Sequence, residues 1–158
     1  MSRLLLSLSF VVLILSVTHS EADAASASGN AANPQAVAEV AAGTRTEANA
    51  AWWGFDEEDA TEALQAAVNS GAKKVIVPSM GKDWIVRPIQ LAGDQELVLE
   101  HGVVITAKRG EYRGKGDSVF RAQDVANLTI RGKGATVRMH KRDYIVGAVL
   151  QDVGWHGW

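Results

Sequence analysis

Two stretches of this chain share one design. ELVLEHGVVITA (residues 96–107) and NLTIRGKGATVRM (residues 127–139) each run as a short β-rich segment, a tight glycine turn and a second short segment, and VIVPSMGKDWIVRPI (residues 75–89) is a looser version. Side chains alternate along an extended strand, so Leu97 and Leu99 point inward while Glu96 and Glu100 point outward. Leu128 and Ile130 stand inward in the same way, with Thr129 and Arg131 outward. One such unit cannot enclose a core, so the units must cover one another. The spacing from Val75 to Leu97 is about 22 residues, a length typical of one coil of a solenoid. The longer step from Leu97 to Leu128 fits if RGEYRGKGD (residues 109–117) is a loop inserted in one coil. The repetition therefore predicts coil stacked on coil around a continuous apolar column.

A β-sandwich or an antiparallel barrel would also give many short strands at regular spacing. The segment before the first strand favours the stack. DATEALQAAVNSG (residues 59–71) reads as a helix of about three turns: Asp59 is placed to cap it, Glu62 follows three residues later as in a capping box, and Gly71 suits the left-handed C-terminal position. Ala60, Ala63, Leu64, Ala67 and Val68 fall on one stripe, with Gln65 and Asn69 facing away. An amphipathic helix here would plug the open end of the column, as repeat stacks require. After Gly71 the period changes from about 3.6 to 2. Strands are expected at Lys74–Pro78, Trp84–Leu91, Glu96–Glu100, Val103–Ala107, Ser118–Ala122, Asn127–Arg131 and Ala135–Met139.

The N-terminal segment reads differently. Arg3 followed by the apolar run Leu4–Val17 and the small-x-small site Ala22-Asp23-Ala24 reads as a signal peptide over residues 1–24. The run is shorter than the roughly 18 apolar residues of a spanning helix, so export to the periplasm, cell envelope or medium is expected, with no membrane span after cleavage. Residues 25–50 are rich in alanine and read as a flexible mature N-terminus, with a short helix opening at Asn33-Pro34 and closing at Gly43. The chain of 158 residues has room for one domain over residues 51–144, followed by an atypical tail at 145–158 with no pattern of a C-terminal cap. It has no cysteine, which excludes disulfides and thiolate metal sites. Sixteen Lys and Arg against eighteen Asp and Glu give a net charge of −2, so no general electrostatic attraction draws it to nucleic acid.

The stretch GFDEEDATEALQAAVNSGAKKVIVPSMGKDWIVRPIQL, followed by ELVLEHGVVITA and NLTIRGKGATV, resembles the N-terminal part of right-handed parallel β-helix proteins of the pectate lyase superfamily, from about Trp52 to Tyr144. The resemblance implies a mainly β fold: the first coils of a right-handed parallel β-helix with an N-terminal capping α-helix. It also implies a secreted protein in contact with polysaccharide, related to polysaccharide lyases and glycoside hydrolases, with calcium a cofactor only in family coils absent here. Family members carry many coils and this chain about three. The expectation is thus a fragment that is not catalytic by itself, either the front of a longer enzyme or a truncated gene product, with a non-catalytic surface or glycan-binding protein as the alternative.

A β-elimination enzyme needs a base to remove a proton beside a carboxylate and a cation to stabilise the charge that develops. The basic candidates are Arg87, Arg121, Arg131, Arg138, Lys141 and Arg142. Arg87, Arg131 and Arg138 are the substrate-binding candidates. Arg131 and Arg138 fall at outward strand positions and would form a basic stripe if they share a face; a solvated strand face is the plainer reading. The cluster Asp56, Glu57, Glu58 and Asp59 could hold calcium or supply paired carboxylates, but its place before the helix favours capping and the helix dipole. His19, His101, His140 and His156 have no partner at metal-ligand spacing, and His101 before Gly102 reads as a turn residue, so no metal and no resident cofactor is assigned. Trp52, Trp53 and Trp84 could stack on sugar rings, yet beside a capping helix they read as core packing. Asn127-Leu128-Thr129 matches a glycosylation acceptor inside a strand, and GEYRGKG lacks the setting of a phosphate loop.

Overall fold

The computed structural model describes residues 30–114 and 116–140. The expected signal peptide, Lys141, Arg142, His156 and the tail at 145–158 lie outside the described residues. In chain order the elements are helix α1 (Pro34–Ala41), strand β1 (Glu47–Asn49), a 3₁₀ turn (Ala50–Trp53), helix α2 (Thr61–Val68), and strands β2 (Lys74–Val77), β3 (Trp84–Val86), β4 (Ile89–Gln90), β5 (Gln95–Leu99), β6 (Val104–Ala107), β7 (Phe120–Arg121), β8 (Leu128–Arg131) and β9 (Thr136–Arg138). The strands form three small sheets, in the orders β1-β2-β5-β8, β3-β6-β9 and β4-β7, and every pairing is parallel. With strands of two to five residues and a few short helices, the chain has a mixed α/β character.

From β2 onward the chain visits the first, second and third sheets in turn and then begins again. Each strand meets its equivalent one circuit later: Val75 pairs with Leu97 and Leu97 with Ile130, while Trp84 pairs with Ile105 and Ile105 with Val137. The alternation in sequence becomes burial. Val75, Val77, Trp84, Val86, Ile89, Leu97 and Ile105 are completely buried in one cluster, and Glu96 and Glu100 face out. Burying a side chain of this size contributes about 1.5–3 kcal/mol. The insertion at 109–117 packs too: Tyr112 is buried, and its hydroxyl donates to the Val86 carbonyl at 2.8 Å.

The helix before the first full circuit differs in detail from the pattern. It spans eight residues rather than three turns, because Asn69 and Ser70 already belong to a turn. The N-cap is Ala60 rather than Asp59, with no side-chain cap hydrogen bond; Asp59, one residue earlier, accepts from the Thr61 amide at 3.1 Å. Glu62 does not complete a capping box, because with Ala60 as N-cap it stands at the second helical position rather than the third; its carboxylate receives Arg87 Nη2 at 2.6 Å instead. The apolar stripe is placed as expected, with Ala60, Ala63, Leu64, Ala67 and Val68 buried against the column.

Where composition suggests a flexible N-terminus, residues 34–50 carry a helix, a strand and buried side chains. Asn33 Oδ1 accepts from the Ala36 amide at 3.0 Å and Pro34 starts α1, while Gly43 takes φ +71° just past its end. Strand β1 then pairs with β2, and Ala36, Val40, Ala48, Ala50 and Ala51 are buried. Small side chains let this layer approach the end of the column closely, and that packing supplies the order that composition alone does not show.

Candidate functional site: a polar trough across three strands

Extended strands in parallel register bring outward residues of successive circuits side by side. Along the first sheet this builds a polar trough of about 430 Å³ lined by Lys73, Asp94, Gln95, Glu96, Asn127, Thr129 and Arg131. A second trough of about 430 Å³ adjoins it and shares Lys73, Asp94 and Gln95. Lys73 precedes β2, Asp94 precedes β5 and Asn127 precedes β8, so three circuits contribute at equivalent turns.

The turns are held by left-handed backbone. Asp94 has φ +54° and Asn127 φ +55°, a conformation that Asp and Asn tolerate better than most residues. Asn127 Nδ2 donates to Asp94 Oδ1 at 2.7 Å, and the Asp94 amide donates to the Ala126 carbonyl at 2.9 Å, which locks one turn on the next. Beneath them Gln95 is buried, with Nε2 donating to the carbonyls of Val68 at 3.0 Å and Ala72 at 2.9 Å. Its Oε1 has no hydrogen-bond partner among the described residues. At the other side Arg131 Nε donates to Glu96 Oε1. The trough thus sets acceptors and cations in alternation, each acid tied to a donor on the next circuit.

The three substrate-binding candidates are not brought together. Arg131 lies on the first sheet beside Glu96. Arg138 lies on the second sheet, with Nη1 3.3 Å from Asp83 Oδ2, where Thr106 Oγ1 also donates at 2.7 Å. Arg87 follows β3 and meets Asp59 and Glu62 of the helix region. Arg121 pairs with Asp117. Arg131 and Arg138 therefore form no shared stripe, because a two-residue alternation predicts inward and outward but not which sheet a strand joins.

Asp59 is the centre of a second polar cluster. Burial opposes its ionisation, but hydrogen bonds from Lys108 Nζ and from the Thr61 hydroxyl and amide, with the Arg87 charge nearby, outweigh it and hold the pKa at about 2. The Arg87 Nε is buried 3.3 Å from Asp59 Oδ2 without hydrogen-bond alignment. The hydrogen bond to Glu62, then the charge of Asp59, raise the Arg87 pKa above its ordinary value. Of the other three acids in this run, Asp56 accepts from the Glu58 amide at 2.8 Å and Glu57 pairs with Lys82 at 3.3 Å. This cluster joins the helix to the strands.

Trp84 is fully buried, donates from Nε1 to the Pro78 carbonyl at 2.9 Å and meets Phe55 edge-on at 4.9 Å. Trp52 lies under the Arg45 guanidinium at 5.2 Å. His101 sits in the turn before β6, under Gly134. Among the described residues no group of three or more His, Cys, Asp or Glu side chains converges as a metal site, and no helix is long and apolar enough to cross a membrane.

The sequence pattern singles out Arg131 but not Asp94, Gln95 or Asn127. The available signal was an Asp or Asn immediately before a β-rich run, in Gly93-Asp94 and Ala126-Asn127. Compared with known proteins, the chain matches no family model, no curated protein and no solved structure.

Proposed function

We propose that this is an exported protein built on the first coils of a right-handed parallel β-helix, related to polysaccharide-degrading enzymes, which holds an acidic polysaccharide along the trough without cleaving it by itself. The cyclic passage through three parallel sheets supports the β-helix reading, since crossovers between parallel strands are overwhelmingly right-handed. The apolar run at residues 4–17 supports export. One observation carries the glycan reading: Lys73, Glu96 and Arg131, from three successive circuits, line one open trough. A polymer lying across the strands meets Lys73 and Arg131 with its carboxylates and Asp94, Asn127 and Thr129 with its hydroxyls. The acids there are committed as acceptors, Asp94 to Asn127 and Glu96 to Arg131, which suits holding a sugar better than removing its proton.

The test is equilibrium binding of polygalacturonate and alginate oligosaccharides, with a neutral glucan for comparison, to the purified chain and to Arg131→Ala at low and moderate salt. The acidic glycans are expected to bind, more weakly as salt rises, and several-fold more weakly to Arg131→Ala. Equal binding by the variant, or none by either protein at low salt, overturns the reading. Release of unsaturated or reducing ends by the purified chain would overturn its non-catalytic part.

A further inference from the structure

The two adjoining troughs differ in what lines them. The first, across β2, β5 and β8, presents polar residues throughout. The second lies between the end of α2 and the turn before β5, and adds Val68, Ala72, Ala92 and Gly93 to the Lys73, Asp94 and Gln95 that both share. One is a polar groove, and the other is a hollow with a small apolar lining. The wall of the hollow is fixed, because Gln95 Nε2 bridges the carbonyls of Val68 at 3.0 Å and Ala72 at 2.9 Å and so ties the end of α2 to the residues leading into β2. A Cβ built on Gly71, at its rim, would meet nothing within 4 Å.

Lys73 stands where the two troughs join. Its neighbour Lys74 is paired with Glu47, and Arg131 is paired with Glu96, whereas the Lys73 ammonium has no ion-pair partner among the described residues. A full charge beside a small apolar hollow matches a ligand that carries an anion and a short apolar substituent close together.

We propose that the second trough seats an O-acetyl group of the acidic polysaccharide, with Lys73 on the carboxylate of the sugar that carries it; this rests on the glycan reading above. An ester on a hydroxyl leaves the sugar's carboxylate charged for Lys73 and brings a methyl group to Val68 and Ala92. An ester on the carboxylate itself brings the same methyl but abolishes the charge, so it satisfies only half of the site. A free hydroxyl keeps the charge and leaves the apolar lining in water.

The test is titration calorimetry of the purified chain with polygalacturonate oligosaccharides in three forms: unmodified, O-acetylated and methyl-esterified. The acetylated form is expected to bind about threefold to fivefold more tightly than the unmodified one, the effect of removing one methyl group from water, and the methyl ester more weakly than either. Ala92 lines the second trough and not the first. In Ala92→Leu, which fills the hollow, the ratio of acetylated to unmodified affinity is expected to fall to one or below while the native tryptophan emission is retained. Equal or weaker binding of the acetylated form, with the unmodified form still bound, overturns this inference alone. Binding of neither acidic form overturns it together with the glycan reading. A methyl ester bound as tightly as the acetylated form overturns it as well, and so does an undiminished preference in folded Ala92→Leu.

Discussion

Lys108 Nζ lies 2.7 Å from Asp59 Oδ2, which ties the residue after β6 to the segment leading into α2, 49 positions earlier. Arg87 Nε approaches the same oxygen at 3.3 Å, and the Arg87 amide donates to Thr61 Oγ1 at 2.8 Å. Three elements distant in sequence meet on one carboxylate. Helix α2 is therefore joined to the strands by charge as well as by its apolar stripe.

Asp59→Asn removes the shared acceptor and leaves two cations facing each other. The carboxyl titrates at about 2 in the folded protein against an ordinary 3.8. Since the folded pKa is depressed, the stabilisation is complete above the ordinary value and is lost as pH falls from about 5 through 2. A shift of this size corresponds to roughly 2.4 kcal/mol, and the partial exposure of Lys108 and Arg87 reduces it to about 1–2 kcal/mol. Urea unfolding of the two proteins at pH 7 should differ by that amount, and the difference should shrink below pH 4. A pH-independent difference would show that the charge is not the cause.

Gly93 sits where two circuits touch. A Cβ there would stand 2.9 Å from the Ala126 carbonyl oxygen and 3.3 Å from its amide nitrogen, and backbone cannot swing aside as a side chain can. Gly93→Ala should lower stability by about 1–3 kcal/mol, the usual cost of overpacking. Gly71→Ala, with open space around it but φ +81°, is the control for conformational strain alone. Denaturant midpoints for the pair separate contact from conformation.

Trp84 fills the column and satisfies its indole N–H on Pro78. Trp84→Phe keeps an apolar ring but leaves a cavity and orphans the Pro78 carbonyl, for an expected loss of about 1–3 kcal/mol. Because this indole is buried, its removal should shift the mean tryptophan emission of the native protein to the red. An unshifted spectrum would contradict the burial.

Glu96 competes with any carboxylate that approaches Arg131. If the trough receives an acidic glycan, Glu96→Gln should raise affinity for polygalacturonate by about 1.4-fold to fivefold, matching the roughly 0.2–1 kcal/mol typical of an exposed ion pair. Fold stability should change by no more than about 1 kcal/mol. Titration calorimetry at low salt reads the affinity, and a weaker complex would show that Glu96 itself contacts the sugar.

Much of the stack is legible along the chain because alternation is a local property. Val75, Leu97 and Ile130 can be recognised as equivalents from spacing alone, and they do stand in register. Ala63, Leu64, Ala67 and Val68 likewise announce a buried helix face. The alanine-rich stretch misleads because Ala48 and Ala51 carry too little apolar surface to signal burial by themselves; only the close approach of β1 and the 3₁₀ turn to the end of the column gives them a core to join.

The sequence by itself determined which residues turn inward, where the turns fall and how far apart the circuits are, since these follow from side-chain alternation and from the backbone preferences of Gly, Asp and Asn. Which polar groups meet was decided only by the tertiary structure. Arg131 finds Glu96, Arg138 finds Asp83, and Asp59 gathers Lys108 and Arg87. Those partners lie about 28 to 55 residues apart, and the sheet a strand joins depends on the length of every turn before it, so a charge cannot read its partner from its neighbours in the chain.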